Sequence, residues 1–143
     1  MQEIYCDGAS RSNPGHAAWA FVVPRVKDQP TEFQSGYLGI ATNNEAEYWA
    51  IIHALNFAIN HRIKHVKIVS DSQLVIRQLL GEYQVKEPRL ELLYFKVFNL
   101  IDDCAVCGIP TIETVEFEWR GRNDPMLKRA DKLCNIVLDV MVI

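Results

Sequence analysis

Three segments near the start of the chain have strand character: "EIYCDGA", "HAAWAFVVP" and "TEFQSGYLGI" are rich in aromatic and β-branched residues. The stretch "RVKDQP" between the second and third is polar, ends in Pro and reads as a turn. Three strands in succession predict an antiparallel meander. The period then changes. In "NNEAEYWAIIHALNFAINHR" one broad apolar face collects Ala46, Ala50, Ile51, Ala54, Leu55, Ala58 and Ile59, which predicts a helix with Asn43 or Asn44 as its cap. "HVKIV" is a short buried strand and "DSQLVIRQLLGEY" a short helix. Pro88 opens a longer helix, "PRLELLYFKVFNLIDDCAV", that "CGIP" stops. "TIETVEFEW" alternates as a strand, and "DPMLKRADKLCNIVLDVMVI" is a closing helix with Pro125 in its first turn. The order β-β-β-α-β-α-α-β-α predicts an α/β fold: a five-stranded mixed sheet, antiparallel meander plus parallel strands, flanked by helices. No internal repeat or linker divides the chain, so residues 1–143 are expected to form one domain.

Composition adds limits. A chain of 143 residues buries enough surface to fold without a metal or disulfide. No apolar run approaches the roughly 18 residues of a membrane span, so no membrane partner is expected. The first residues, "MQEIYCDGAS", lack a basic segment followed by an apolar one, so no signal peptide is expected. Cys104 and Cys107 have redox-motif spacing but end a helical pattern instead of starting a helix, so plain reduced thiols and a cytoplasmic location are expected. Zinc is not expected, for want of a second Cys or His pair. The net charge of −3 argues against attachment to nucleic acid by bulk charge alone. It is compatible with an enzyme that gathers acids at a metal site; two divalent cations would bring it to about +1.

Four acids occupy unusual positions. Asp7 ends the first predicted strand and Asp71 the fourth, and in a mixed sheet those strands can be neighbours. Glu47 lies four and seven residues before Ile51 and Ala54, so it turns with the apolar face. Glu45 falls with Trp49 and Ile52, rotated by about 160°, and is expected to be solvated. Asp131 keeps company with Leu127, Cys134 and Leu138. Each acid alone has a plainer reading. Asp7 could serve the Gly8 turn, Asp71 could cap a helix, and Glu47 and Asp131 could pair with Lys or Arg. Together, without matched cations, four carboxylates repel one another. Divalent cations relieve that cost, and ligands that offer only oxygen suit Mg²⁺ or Mn²⁺. A pair of such ions can clamp the attacking and leaving oxygens of a phosphoryl transfer.

The motifs "YCDGASRSNPG", "TNNEAEYWAIIHAL", "VSDSQLVIRQL" and "NDPMLKRADKLCN" come in the order, and with the spacing, of the type 1 ribonuclease H family, which the chain resembles over nearly its whole length. The resemblance implies a ribonuclease H-like fold and endonucleolytic hydrolysis of the RNA strand of an RNA–DNA hybrid by two metal ions, Mg²⁺ or possible Mn²⁺, leaving 5′-phosphate and 3′-hydroxyl ends. It assigns the metals to Asp7, Glu47, Asp71 and Asp131: Asp7 and Asp71 bind or bridge them, Glu47 helps at the leaving-group side and Asp131 holds the ion nearer the attacking water. It also implies hybrid contacts at Gly8, Ala9, Ser10, Asn13, Asn43, Asn44 and Gln73, with Thr42 holding a DNA-strand phosphate. Asn13-Pro14-Gly15 is equally a turn, and Asn43-Asn44 equally a cap; both readings are compatible with binding a wide, shallow minor groove through its 2′-hydroxyls.

The chain departs from the family's best-known bacterial members in two places. The segment "GEYQVKEPRLELLYFK" replaces their basic protrusion, leaving Arg11, Arg77, Lys86 and Arg89 as candidate substrate cations. The loop "WRGRNDPM" holds no His, and Arg122 or Arg120 is the nearest candidate for that catalytic role. Two rivals stay open: a non-catalytic hybrid- or RNA-binding module of this fold, and a DNA-cleaving nuclease of the same superfamily. The protein is expected to be a monomer whose tail "VLDVMVI" packs on its own sheet.

Overall fold

A computed structural model describes residues 1–25, 31–106 and 112–142, with backbone alone at 103–106. The Cys104–Cys107 pair and most of the "RVKDQP" turn therefore lie outside the described residues. The strands are β1 (Gln2–Ser10), β2 (Gly15–Val23), β3 (Glu32–Ala41), β4 (His65–Ser70) and β5 (Thr114–Trp119). The helices are α1 (Asn43–Asn60), α2 (Gln73–Leu79), α3 (Pro88–Val106) and α4 (Pro125–Met141). The sheet order is β3-β2-β1-β4-β5. β1–β2 and β2–β3 are antiparallel, while β1–β4 and β4–β5 are parallel, as the alternation of strands and helices predicts.

Both faces of the sheet are covered, so the central strands are apolar at successive positions rather than at every second one. In β1, Ile4 and Cys6 face a core built with Ile51, Leu55 and Ala58 of α1 and Val97 of α3. Tyr5 faces the other way, into a smaller core with Val69 of β4 and Leu127, Ala130, Cys134 and Leu138 of α4. The apolar tail packs in part: Leu138 is fully buried and Val137 and Val142 pack against this second cluster, while Val140 and Met141 are exposed.

Three local expectations are corrected. The cap of α1 is Thr42, not Asn43 or Asn44. The Thr42 hydroxyl accepts from the Glu45 N–H and the Glu45 carboxylate accepts from the Thr42 N–H, each at 3.1 Å, a reciprocal pair that satisfies two helix-end donors. Glu45 is therefore turned away from the other acids, but it is engaged in this cap and not simply solvated. The outer side of α1 is also buried: Ile52 is 1% exposed, and the Lys96 ammonium of α3 lies 4.8 Å from the Trp49 ring centre. Finally, α2 stops at Leu79 instead of running to Tyr83, because Gly81 adopts a left-handed φ of 80° and its N–H returns to the Gln78 carbonyl. No helix among the described residues is long and apolar enough to cross a membrane.

Candidate active site

The last rung of the parallel β1–β4 ladder pairs Cys6 with Ser70. Asp7 and Asp71 are the next residues on each side, so the two carboxylates meet where the strands part. The placement of Asp7 differs from expectation in one respect: β1 does not end there but continues to Ser10, paired with β2, and Asp7 sits opposite Ala20. Asp71 is not a cap. Ser72 caps α2 through its hydroxyl, which accepts from the Val75 N–H, leaving the Asp71 carboxylate free of that duty.

Glu47 arrives from the α1 side. The Gly8 N–H donates to its Oε1 at 2.9 Å and the Ser70 hydroxyl to its Oε2 at 3.1 Å. Ser70 is in turn held by the Ser72 N–H at 3.0 Å. The approach of α1 depends on Gly8, since a Cβ there would fall 2.2 Å from the Ala46 carbonyl carbon and 2.4 Å from the Glu47 nitrogen. Backbone cannot swing aside as a side chain can. Gly8→Ala is expected to destabilise the fold by about 3 kcal/mol and to displace Glu47; a denaturant titration paired with a cleavage assay checks both, and a stable, active variant would refute the close approach.

Asp7, Glu47 and Asp71 each present a carboxylate oxygen within 4.8 Å of the others. Asp7 is 4% and Glu47 7% exposed. Burial pushes the Asp7 carboxyl up to about 11, reinforced by the charges of Glu47, Asp71 and Asp131. Glu47 rises to about 8, through burial first and the Asp71 charge second. Asp71 is also raised by burial, although the Arg122 guanidinium opposes the shift. Such a cluster holds protons unless a cation takes their place. Its donors are all oxygen, with short fixed geometry and a buried floor, so the residues fit a hard divalent cation.

The fourth acid, Asp131, stands on α4 and lines the same cleft of about 340 Å³, but it is exposed and lies outside the close group of three. Its charge is felt by both Asp7 and Asp71. Gly8, Ala9, Asn43 and Asn44 line the cleft too. The Asn43 side-chain oxygen accepts from the Ser10 N–H at 2.8 Å, and the Asn13 oxygen accepts from the Asn43 N–H at 3.1 Å, so the β1–β2 turn is latched to the start of α1. Asn13 and Thr42 lie in an adjoining depression with Arg89. Gln73 does not line the cleft; its amide oxygen is placed to accept from Arg77 at 3.0 Å.

The two loop arginines separate clearly. Arg122 lines the cleft with its side chain 92% exposed and its Nε 3.5 Å from Asp71 Oδ2. Arg120 points away, among Glu3, Tyr5, Glu118 and Asp124. Of the other cations, Arg11 pairs with Asp139 and Arg77 with Glu82, while Lys128, unremarked in the sequence, lines the cleft. Ser70 was likewise missed; the only clue was its place between an apolar strand and Asp71.

A family model described as Reverse transcriptase-like matches residues 5–136. A ribonuclease HI of Halobacterium salinarum is 35% identical over 138 residues, 94% of this chain and 63% of that protein. Mycobacterial relatives at 33% identity are longer still, and this chain spans 35% of their length. A ribonuclease H of Geotalea uraniireducens is 40% identical over 147 positions, covering 96% of this chain and 94% of its own. Among solved structures, LC11-RNase H1 in complex with an RNA/DNA hybrid superposes with a TM-score of 0.86 at 31% identity, over all of both chains. With the motifs, the sheet order and these matches in agreement, the chain belongs to the type 1 ribonuclease H family.

Proposed function

We propose that this chain, acting as a single unit over residues 1–143, hydrolyses the RNA strand of RNA–DNA hybrids to 5′-phosphate and 3′-hydroxyl ends. Asp7, Glu47, Asp71 and Asp131 would hold two divalent ions, Mg²⁺ or Mn²⁺. The observation that carries the reading is the close group of three carboxylates at the parting of β1 and β4, two of them buried, with Asp131 across the same cleft. Bound there, a pair of such ions supplies charge to clamp the attacking and leaving oxygens of the phosphodiester.

The chain's own groups position the substrate. Glu47 cannot swing, because Gly8 and Ser70 hold both its oxygens. Asn13 and Asn43 spend their side-chain oxygens on the latch, which leaves their NH₂ groups for the 2′-hydroxyls of the RNA strand. The Arg122 guanidinium offers only donors and a charge, which suits it to attract a phosphate rather than to shuttle protons. We further propose a cytoplasmic monomer; Cys6 and Cys134 are buried free thiols that suit a reducing compartment.

A cleavage assay with labelled hybrid, duplex RNA, duplex DNA and single-stranded RNA, each with Mg²⁺ and with chelator, tests the proposal. Metal-dependent cutting of the hybrid supports it. Binding without cutting would favour a non-catalytic module, and cutting of duplex DNA a different nuclease. In the same assay Arg122→Ala should lower kcat by about 10- to 10²-fold, the loss of one to three kcal/mol of transition-state stabilisation. Arg122→Lys should recover part of it, since the charge stays but the fork is lost. No histidine among the described residues lines the cleft, so this loop should contribute no limb in the histidine range of the pH–rate profile. An unchanged kcat in Arg122→Ala would remove Arg122 from the machinery.

A further inference from the structure

We infer that Arg120 is a positioning residue, which sets the place of the Arg122 turn and the start of α4 relative to the strand that carries Asp7; the inference rests on the proposed hydrolysis and assigns its loop. Arg120 directly follows β5. Its backbone N–H donates to the Ser70 carbonyl at 3.0 Å, which carries the ladder one step beyond the last β4–β5 rung. Its side chain then crosses the α4 side of the sheet. Nη2 meets Glu3 Oε2 at 2.9 Å and Nη1 donates to the Tyr5 hydroxyl at 2.7 Å, both on β1. The Tyr5 hydroxyl donates in turn to Glu3 Oε2 at 2.7 Å, so the three groups close a ring of hydrogen bonds two residues before Asp7. Glu118 takes Nε.

The remaining contact decides the role. Nη1 also reaches Asp124 Oδ2 at 3.4 Å. Asp124 caps α4, its Oδ1 accepting from the Met126 N–H at 2.8 Å and the Leu127 N–H at 3.2 Å. Between Arg120 and Asp124 the chain makes a turn closed by the Asp124 N–H on the Gly121 carbonyl, at 3.2 Å, with Arg122 at its tip. The guanidinium of Arg120 thus ties together the two ends of the turn that projects Arg122. Arg122 itself has little else to hold it: its side chain is 92% exposed and its contact with Asp71 is long. Helix α4, whose first residue follows that cap, carries Asp131. One fork of donors therefore couples β1, with Asp7, to both Arg122 and the helix of Asp131.

A passive role in stability and a positioning role make different predictions. Arg120→Ala leaves Glu3 and Asp124 without their shared cation and Glu118 with Lys67 alone, so it will lower the melting temperature under either account. Asp124→Asn is the cleaner variant. It keeps an oxygen for the cap but turns an NH₂ toward Arg120, breaking only the bridge across the turn. The experiment is a double-mutant cycle on Mg²⁺-dependent hybrid cleavage, pairing Arg122→Ala with Arg120→Ala and separately with Asp124→Asn. If Arg120 positions the turn, Arg120→Ala and Asp124→Asn each lower kcat by about tenfold with KM little changed, and either double variant falls below the more damaging of its two singles by less than about twofold. Arg120→Lys should recover melting temperature, by neutralising the acids, but not kcat.

Hydrogen exchange of the 120–127 amides, measured without substrate, gives a readout independent of the reaction. It should quicken in Asp124→Asn while exchange in β1 and α1 stays slow. If the losses multiply as independent effects, or exchange in the turn is unchanged, Arg120 is only a structural cation. If wild-type protein fails to cut the hybrid, the proposed hydrolysis falls, and exchange alone decides whether Arg120 orders the turn.

Discussion

Asp71→Asn is expected to lower the proposed cleavage of an RNA–DNA hybrid by at least about 10³-fold, because one anionic ligand of the proposed metal pair is lost where charge develops on the phosphoryl group. The fold is expected to survive: Asp71 neither caps α2 nor packs in either core, and the isosteric amide should fit its place at the sheet edge. In metal-free protein the same change should raise the melting temperature, since it removes a negative charge that burdens both Asp7 and Glu47. The pH dependence has a definite sign. Carboxyls whose folded values lie above their unfolded ones bind more protons folded than unfolded, so stability falls as pH rises between the two. For Glu47 that window runs from its ordinary 4.5 to about 8, and Asp7 extends it further upward. Wild-type protein in chelator should therefore lose melting temperature steadily from about pH 5 to about pH 9, and Mg²⁺ should flatten the slope. Thermal melts with and without Mg²⁺, set beside turnover of the variant, check both halves. Near-wild-type turnover in Asp71→Asn, or a chelated melt indifferent to pH, would sink the assignment.

The meeting of Asp7 and Asp71 was legible because both follow short apolar strands, and strand ends are where a parallel pair exposes its next residues. What could not be read was that β1 continues past Asp7. Its partner changes there: β4 leaves after Ser70 and β2 carries the pairing on to Ser10, a tertiary event with no local signature. Helix phase placed Glu47 correctly, since the period is a property of the helix alone. It could not show that the opposite side is buried as well, because α3 covers Trp49 and Ile52, and packing between helices distant in sequence overrides amphipathic pattern.

The caps were half legible. "TNNE" carries a Thr and a Glu three residues apart, the pattern of the reciprocal cap now seen at Thr42 and Glu45, yet the two adjacent asparagines are also good caps and drew the assignment. At "SDS" three capping residues stand in a row, and only the position of the last β4 rung selects Ser72 and releases Asp71. Arg120 and Arg122 were indistinguishable for a similar reason. They sit on either side of Gly121, and which one faces the acids depends on the turn that Asp124 closes.

The two glutamates of α1 should respond in opposite ways to the same substitution. Glu47→Gln keeps the shape and one good acceptor for the Gly8 N–H, while the Ser70 hydroxyl can turn to accept from the new NH₂. The side chain should stay in place, and stability in chelator should rise, because a buried carboxylate has been neutralised beside Asp7 and Asp71. Activity should nonetheless fall by about 10²-fold or more, since the lost charge is one the metal site requires. Glu45→Gln removes a charge only two residues away, but in a different place. Its oxygen caps the Thr42 N–H from outside the cleft, and glutamine serves that reciprocal cap as well as glutamate does. Loss of the long contact with Arg89, 3.9 Å at an exposed guanidinium, should cost at most a few tenths of a kcal/mol. Turnover should stay within about twofold of wild type. Glu45→Ala separates the cap from the charge: it should cost about 1 kcal/mol in a denaturant titration and still leave hybrid cleavage largely intact. Parallel measurements of kcat and unfolding free energy for the three variants make the comparison. If Glu45→Gln proved the more damaging to turnover, the phase of α1 relative to the sheet, and with it the place of Glu47 among the ligands, would be wrong.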